Sequence, residues 1–418
     1  MKNQSTLQPG CDWHTPVPAA HSAAALLTAQ AVRSHCAQIM ALAEHGAATH
    51  FTWHPEQLDI TATYVADTIT QRYPTLQVPY HSRWRHFEVG GIDRWAQLAG
   101  NHVWQKAERA RTRIDLVIAS VLLDAGAGPD WRYLDHPHAM ELTRSEGLGV
   151  ASLALFASGA LSADPAQPLR ADATALAQLV PATMAQAFQV DADNPLVGLS
   201  GRTQLLQRLG AVVTATPAVF GSPARLGNLY DYLVAHAIDN QIDAAFVLET
   251  LLRALGPVWP GRITLEGVSL GDCWRHSGTR DGLLPFHKLS QWLTYSLLEP
   301  LEESGLKVVG LDQLTGLPEY RNGGLLLDFG LLVPRNPAFF IDSMMVDDAA
   351  VVEWRALTVI ALDHLADAVR AKLGLDATAF PLARILEGGT WAAGRRIAAE
   401  RRPGGIPPVR IASDGTVF

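Results

Sequence analysis

The sequence predicts a mainly α protein, a compact helical domain with a few short strands, and three observations carry that expectation. Apolar residues recur at helical intervals along most of the chain. Strand-like runs are short and scattered, with no strand–helix alternation that repeats. Glycine-rich phosphate loops of the GxGxxG or GxxxxGK[ST] kind are missing, so the usual nucleotide-binding α/β folds have no support.

Taken in order, residues 23–45 place Leu26, Leu27, Ala31, Cys36, Ile39 and Leu42 at helix-like spacing, and a second helix fits 58–72 before Pro74. Residues 93–122 read as one or two helices that stop at the glycines of 124–131. Further helices fit 145–158, 171–189, 202–210, 227–235, 243–255, 287–299 and 349–373. In the last of these Trp354, Leu357, Ala361, Leu365 and Ala368 form one stripe, and Gly374 supplies a stop. The strand candidates are 86–89, 262–265 and 325–332. Without a long linker or a fixed-period repeat, the expected organisation is an N-terminal extension over 1–22 and a single helical domain over 23–418.

Composition narrows the function classes. At 418 residues, 48% hydrophobic and 18% charged, the chain can bury a large core and has no disordered signature. A net charge of −8 argues against nucleic acid as a partner, while leaving room for a local basic pocket. Cys11, Cys36 and Cys273 are far apart and form no CxxC pair, which fits a reducing compartment. The N-terminus lacks an apolar signal core and no run of eighteen uncharged apolar residues occurs, so a soluble, cytoplasmic protein with no membrane partner is expected. No particular oligomer is signalled.

Polar residues gather in five places. In 81–91, Arg83 and Arg85 alternate with Trp84 and Phe87, with His81 and His86 nearby. On an extended backbone the two arginines would face one side and could grip a phosphate; the alternative is an exposed basic edge over a buried Trp84. In 144–159, Arg144 and Glu146 flank Ser145 at a helix start, which reads as structural capping. In 271–301, Lys288, Gln291 and Tyr295 share one helix face, either solvated or turned to a pocket by the nearby Trp274, Phe286 and Trp292. In 314–330, Glu319 sits between Pro318 and Tyr320, followed by Arg321 and the turn-forming Asn322, Gly323 and Gly324. That suits a rigidly held carboxylate, or equally a structural Glu paired with arginine. In 386–396, Glu387, Trp391 and Arg395 keep i, i+4, i+8 spacing, although Gly388 and Gly389 weaken a helix there. His50 and His54, or His136 and His138, are close in sequence but make no HExxH set, so neither a metal nor a cofactor is expected.

The stretches HSRWRHFEVGG, LLDAGAGPDWRY, RSEGLGVASLALF, PFHKLSQWLTYSLLEPL, LPEYRNGGLLLD, EGGTW and SDGTVF together resemble the uracil-catabolism protein family of fungi and bacteria, across nearly the whole chain. A fainter pattern is similar to the queuosine-salvage glycohydrolase family. Lys288 with Gln291, then 317–321, then 353–359, then Glu387 with Trp391 stand where that family has a Lys-Arg-Ala-Gln helix, a Phe-Ala-Asp-Tyr-Arg turn, a Glu-containing helix and a Trp-containing C-terminal segment. This second resemblance implies a fold similar to helix-hairpin-helix DNA glycosylases and an acidic residue at a sugar's anomeric centre. Glu319 replaces the family's Asp and Leu317 its base-contacting aromatic, which implies a smaller leaving group than a fused-ring base.

Together the resemblances imply an N-ribosidase, a metal-independent N-glycosyl hydrolase. It would cut the C1–N bond of a small ring-opened pyrimidine ribonucleotide, a ribosylurea carrying a 5-phosphate, and release urea. Glu319 is assigned to the anomeric centre and Glu387 to the leaving group or ribose hydroxyls. Arg83, Arg85 and Lys288 are assigned to the phosphate, His50 and Trp391 to the urea end, and Trp274, Tyr320 and Arg321 to the pocket. The segment 386–418 is expected to pack on that pocket. Two other readings remain open: a hydrolase of an amide C–N bond in a ring-opened pyrimidine, and a non-catalytic protein that binds a pathway metabolite.

Overall fold

Alternation of apolar and polar residues at helical period produces the elements that frame the molecule. The computed structural model describes residues 22–412 except 101, 125 and 260–262. Its principal helices are α1 (Ala29–Glu44), α2 (Leu58–Arg72), the short α3 (Trp84–Phe87), α4 (Lys106–Leu122), α5 (Arg144–Ala157), α6 (Leu199–Thr214), α7 (Ala244–Leu255), α8 (Lys288–Ser304), α9 (Tyr320–Asp328), α10 (Ala349–Leu373) and α11 (Trp391–Arg401). The mainly helical expectation is met. The expected helix over 171–189 is two pieces, Ala173–Gln178 and Pro181–Ala187, because the residue before Pro181 is driven to extended backbone.

Packing follows burial. The second half of α4, from Thr112 to Leu122, is buried all round and lies against α8. Helix α10 lies against α1 and α2, and α11 against α9. One hydrophobic cluster runs from Ala23 to Val409, so residues from both ends of the described chain share a core. Among the described residues no helix is long and apolar enough to cross a membrane.

The described strands occur as two-stranded pairs that clip distant segments together. Phe51–Trp53 pairs antiparallel with Leu332–Pro334, and Cys273–Arg275 with Leu283–Pro285. Gln241–Asp243 pairs parallel with Lys307–Val309, and Ser343–Met345 with Arg410–Ala412. Of the expected strands, 262–265 contains the real strand Thr264–Leu265, with residue 262 outside the described residues. The other two are corrected. Residues 86–87 belong to α3, and 325–328 belong to α9, with a strand only from Leu332. A continuous apolar run such as 325–327 suits a buried helix as well as a buried strand, and the cap supplied by Glu319 decides for helix.

One turn of α10 braces three separate segments. The buried Glu353 carboxylate accepts the backbone N–H groups of Thr49, His50 and Phe51 at 3.1, 2.7 and 3.0 Å. Trp354 donates from Nε1 to the Gly323 carbonyl at 3.2 Å, and its ring covers Gly323 so closely that a Cβ there would lie 2.6 Å from it. Arg355 forks onto both oxygens of Asp272 at 2.9 and 2.8 Å and reaches the Pro318 carbonyl at 3.3 Å. Replacing Glu353 with Ala leaves three N–H donors without their acceptor, at a cost of about 2–4 kcal/mol. Urea denaturation of Glu353→Ala is expected to show that loss, and a midpoint equal to wild type would refute the brace.

Candidate active site

Glu319 stands in extended backbone (φ −121°, ψ 166°) as the N-cap of α9. Its two oxygens accept the N–H groups of Arg321 at 2.8 Å and Asn322 at 2.5 Å, satisfying donors that a helix start leaves free. The side chain is buried, only 9% of the residue remaining exposed. Burial pushes its pKa above the ordinary Glu value, against the opposing pull of those N–H groups and of the charges on Lys288 and His81.

The loop that delivers Glu319 is gripped from α8. Gln291 is fully buried, its amide oxygen accepting Thr315 N–H at 2.8 Å and its nitrogen donating to Thr315 Oγ1 at 2.5 Å. Tyr295 donates its hydroxyl to the Thr315 carbonyl at 3.0 Å. The Lys288–Gln291–Tyr295 face is therefore neither solvated nor simply a pocket wall; two of its three members hold the chain four residues before Glu319. Lys288 opens α8, its backbone N–H held by Asp272 at 3.0 Å, and its ammonium feels the charges of Glu319 and Asp124.

Glu387 lies in a π-helical turn, Ile385–Thr390, that leads into α11. The two glycines that weaken an ordinary helix let this turn sit tight: a Cβ on Gly388 would lie 2.8 Å from Val78, and one on Gly389 2.8 Å from Val65. Thr390 bonds Asn322 at 2.9 Å, tying the turn to the first turn of α9. Buried Glu387 accepts a hydrogen bond from His81 Nδ1 at 2.8 Å. Burial pushes Glu387 up, but that bond and the charges of His81, Arg72 and Arg85 more than offset it and hold the carboxyl below the ordinary value.

Two indoles flank the histidines. His81 lies 5.8 Å from the Trp391 ring and 6.4 Å from Trp292; His86 lies 5.7 Å from Trp292 and 6.5 Å from Trp391. Arg83 is fully buried beside them, donating to Ser120 at 2.7 Å and to Asp124 at 2.8 Å, with His86 Nδ1 at 3.0 Å. Two buried donors here, Arg83 Nη2 and Trp292 Nε1, have no hydrogen-bond partner among the described residues. At the outer side Arg395 lies 4.9 Å over Trp391 and pairs with Glu146, while Arg321 lies 5.3 Å over Tyr320.

The family model described as a protein of unknown function (DUF1688) matches residues 25–418. The chain belongs to the DUF1688 family. It is 38% identical to Uracil catabolism protein 4 of Lachancea kluyveri, covering 89% of this chain and 93% of that protein. It is 39% identical to Protein urg3 of Schizosaccharomyces pombe, covering 94% and 98%. The family resemblance read from the sequence agrees with these matches.

For this DUF1688 protein the structure links Glu319, Lys288, Tyr320, Arg321, Glu387 and Trp391 through His81, α8 and α9. Other expected residues lie differently. Arg83 caps a helical turn instead of lying in an extended segment, so Arg83 and Arg85 do not face one side. Arg85 donates to both Glu299 oxygens at 2.9 Å and pairs with Glu88 at 3.1 Å, although its charge still acts on Glu387. Trp274 donates to Asp272 at 2.7 Å, behind Lys288. His50 lines a cavity of about 320 Å³ with Thr49, Arg275, His276, Ser277, Gly282 and Ala349, none of which belongs to the Glu319 group. Ser145 does not cap α5; Thr143 holds the N-cap position without a side-chain bond, and Glu146 turns to Arg395. The tail 413–418 lies outside the described residues.

By sequence, Asp124, His81 and His86 have no role in the chemistry, and Glu146 reads only as part of a helix cap. A Cβ on Gly149 would lie 2.7 Å from His86, so Gly149 is what lets α5 approach α3. Burial and the Arg83 guanidinium pull His86 down from 6.5 to about 4. Because the folded value is below the unfolded one, only the unfolded chain takes this proton between those limits. Stability is therefore full above pH 6.5 and falls by up to about 3 kcal/mol on acidification to pH 4. Urea denaturation against pH should show this slope, and His86→Asn should flatten it.

Proposed function

We propose that this chain is an N-ribosidase of uracil catabolism that hydrolyses the C1–N bond of a ribosylurea. The pathway follows from the names of its relatives, which cover nearly its whole length. The chemistry is supported by one arrangement: a buried carboxylate, Glu319, fixed by two backbone N–H donors, and a second, Glu387, bonded to His81 Nδ1 as a positioned proton carrier.

In this reading the C1–N bond breaks with its electron pair going to nitrogen, which takes up a proton and departs as urea. Water supplies oxygen to C1 and gives up a proton. Positive charge builds on the ribose ring, and Glu319, fixed by two N–H donors before reaction, stabilises it without reorganisation. With Nδ1 donating to Glu387, His81 has Nε2 available to take the proton of water; Glu387 fixes the tautomer and balances the imidazolium that results. Trp391 and Trp292 provide flat apolar walls suited to a planar urea and a low-dielectric setting for the charge.

The direct test is release of urea and ribose, or its 5-phosphate, from ribosylurea by purified protein. Glu319→Gln keeps size and removes charge, and turnover is expected to fall about a hundredfold or more, roughly 3 kcal/mol, with the fold intact by circular dichroism. Near-normal turnover by that variant would sink the assignment.

Activity also carries a pH signature. Glu319 works ionised, so turnover is lost as pH falls through its raised pKa, at higher pH than for an ordinary Glu. Lys288 lowers that pKa, so Lys288→Met should move the acid limb of the kcat profile further upward. A limb unchanged by the substitution would show that another group controls it.

A further inference from the structure

Three guanidinium groups, those of Arg144, Arg321 and Arg395, gather on one side of the site, with the carboxylates of Glu146 and Glu319 among them. Arg321 lies over Tyr320, the residue next to Glu319, and donates to the Gly405 carbonyl at 2.9 Å. Arg395 belongs to the helix that packs against α9 by way of Gly394, whose Cα side meets the Arg321 backbone so closely that no Cβ fits. Arg144 opens α5, and α5 also brings in Glu146, the carboxylate paired with Arg395. The adjacent Ser145 carbonyl accepts from Arg83 at 3.3 Å, which anchors this turn at the site. Arg144 is exposed, forms no ion pair among the described residues, and holds a left-handed backbone (φ +53°) that ordinary side chains rarely adopt.

These charges act on one another. Burial, the largest effect, acts with Arg395 and Arg144 to disfavour the charged form of Arg321, against the opposing pull of Tyr320 and Glu319; at the Tyr320 hydroxyl Arg321 and Arg144 oppose burial, Glu319 and Asp124. Like charges held together are costly unless something anionic relieves them. Guanidinium forks match the oxygens of a phosphate, and a protonated tyrosine hydroxyl adds a further donor. Arg83 pairs with Asp124 and Arg85 with Glu299, on different sides of their helical turn, so those two do not present a shared fork.

We propose that Arg144, Arg321 and Arg395, with Tyr320, form the subsite for a phosphate group on the substrate, so that the preferred ribosyl compound is a phosphate monoester. This rests on the glycosidase reading for the position of the sugar. Glu146 positions Arg395 and keeps the subsite from being purely cationic when empty of substrate.

The test compares ribose 5-phosphate with ribose by isothermal titration, on wild type, Arg144→Gly and Arg144→Lys. Glycine suits the left-handed backbone, and an unchanged melting temperature checks the fold. Wild type should bind ribose 5-phosphate at least tenfold more tightly than ribose. Arg144→Gly should lose about tenfold for ribose 5-phosphate and nothing for ribose, and Arg144→Lys should recover part of the loss. Equal affinity for the two sugars in wild type, or an Arg144→Gly variant that binds ribose 5-phosphate like wild type, overturns the subsite. Urea assays separate the two readings. Hydrolysis of ribosylurea without any preference for its phosphate ester overturns the subsite alone. A phosphate preference that depends on Arg144, with no urea released from either compound, supports the subsite and overturns the glycosidase reading.

Discussion

A carboxylate buried at a helix start organises everything around it. Glu319 is costly to place in a low-dielectric interior, and what makes it tolerable is the pair of backbone N–H groups of Arg321 and Asn322, free at the first turn of α9. Those donors have fixed positions only if the loop before Glu319 and the helix after it are themselves immobile. The loop is held by Gln291 and Tyr295 at Thr315 and by Arg355 at Pro318; the helix is held by Trp354 at Gly323 and by Thr390 at Asn322. Five side chains from three parts of the chain thus converge on one short segment.

The charges follow from the same constraint. Several buried polar groups near Glu319 have an answering group: Arg83 with Asp124, Arg355 with Asp272, Glu387 with His81. Pairing of this kind contributes little net stability, since desolvation consumes most of the attraction, but breaking one pair strands the other charge. The arrangement therefore favours a single geometry. Arg144 and Arg321, which form no ion pair among the described residues, and Arg395, which pairs with Glu146, act around the half-buried Tyr320 beside the carboxylate.

Small residues decide how near these groups come. Gly323 admits the Trp354 ring, Gly394 admits the Arg321 backbone, and Gly149 admits His86. The π-helical turn at 385–390 is the clearest case. Its glycines lower helix propensity, yet they let Glu387 enter the interior between α2 and α9. Propensity and packing point in opposite directions there, and packing wins because a Cβ would strike Val65 or Val78.

Sequence alone determined the helical class, most helix positions and the rigid placement of Glu319, because apolar periodicity and the Pro-Glu-Tyr-Arg-Asn-Gly-Gly string are local signals. It also separated Glu387 and Trp391 from the surrounding chain, though not the turn that carries them. Only tertiary structure decided which ionisable groups meet. Arg83 and Arg85 look equivalent two residues apart, but a helical turn sends one to Asp124 and the other to Glu299. His50 goes to another cavity, and Arg144 and Arg395, some 250 positions apart, are brought to one side of Tyr320. Periodicity reports which face of an element is buried, whereas partners across elements depend on crossing and close approach. Those are set by volumes at the glycines and by long-range ion pairs, which no local pattern encodes.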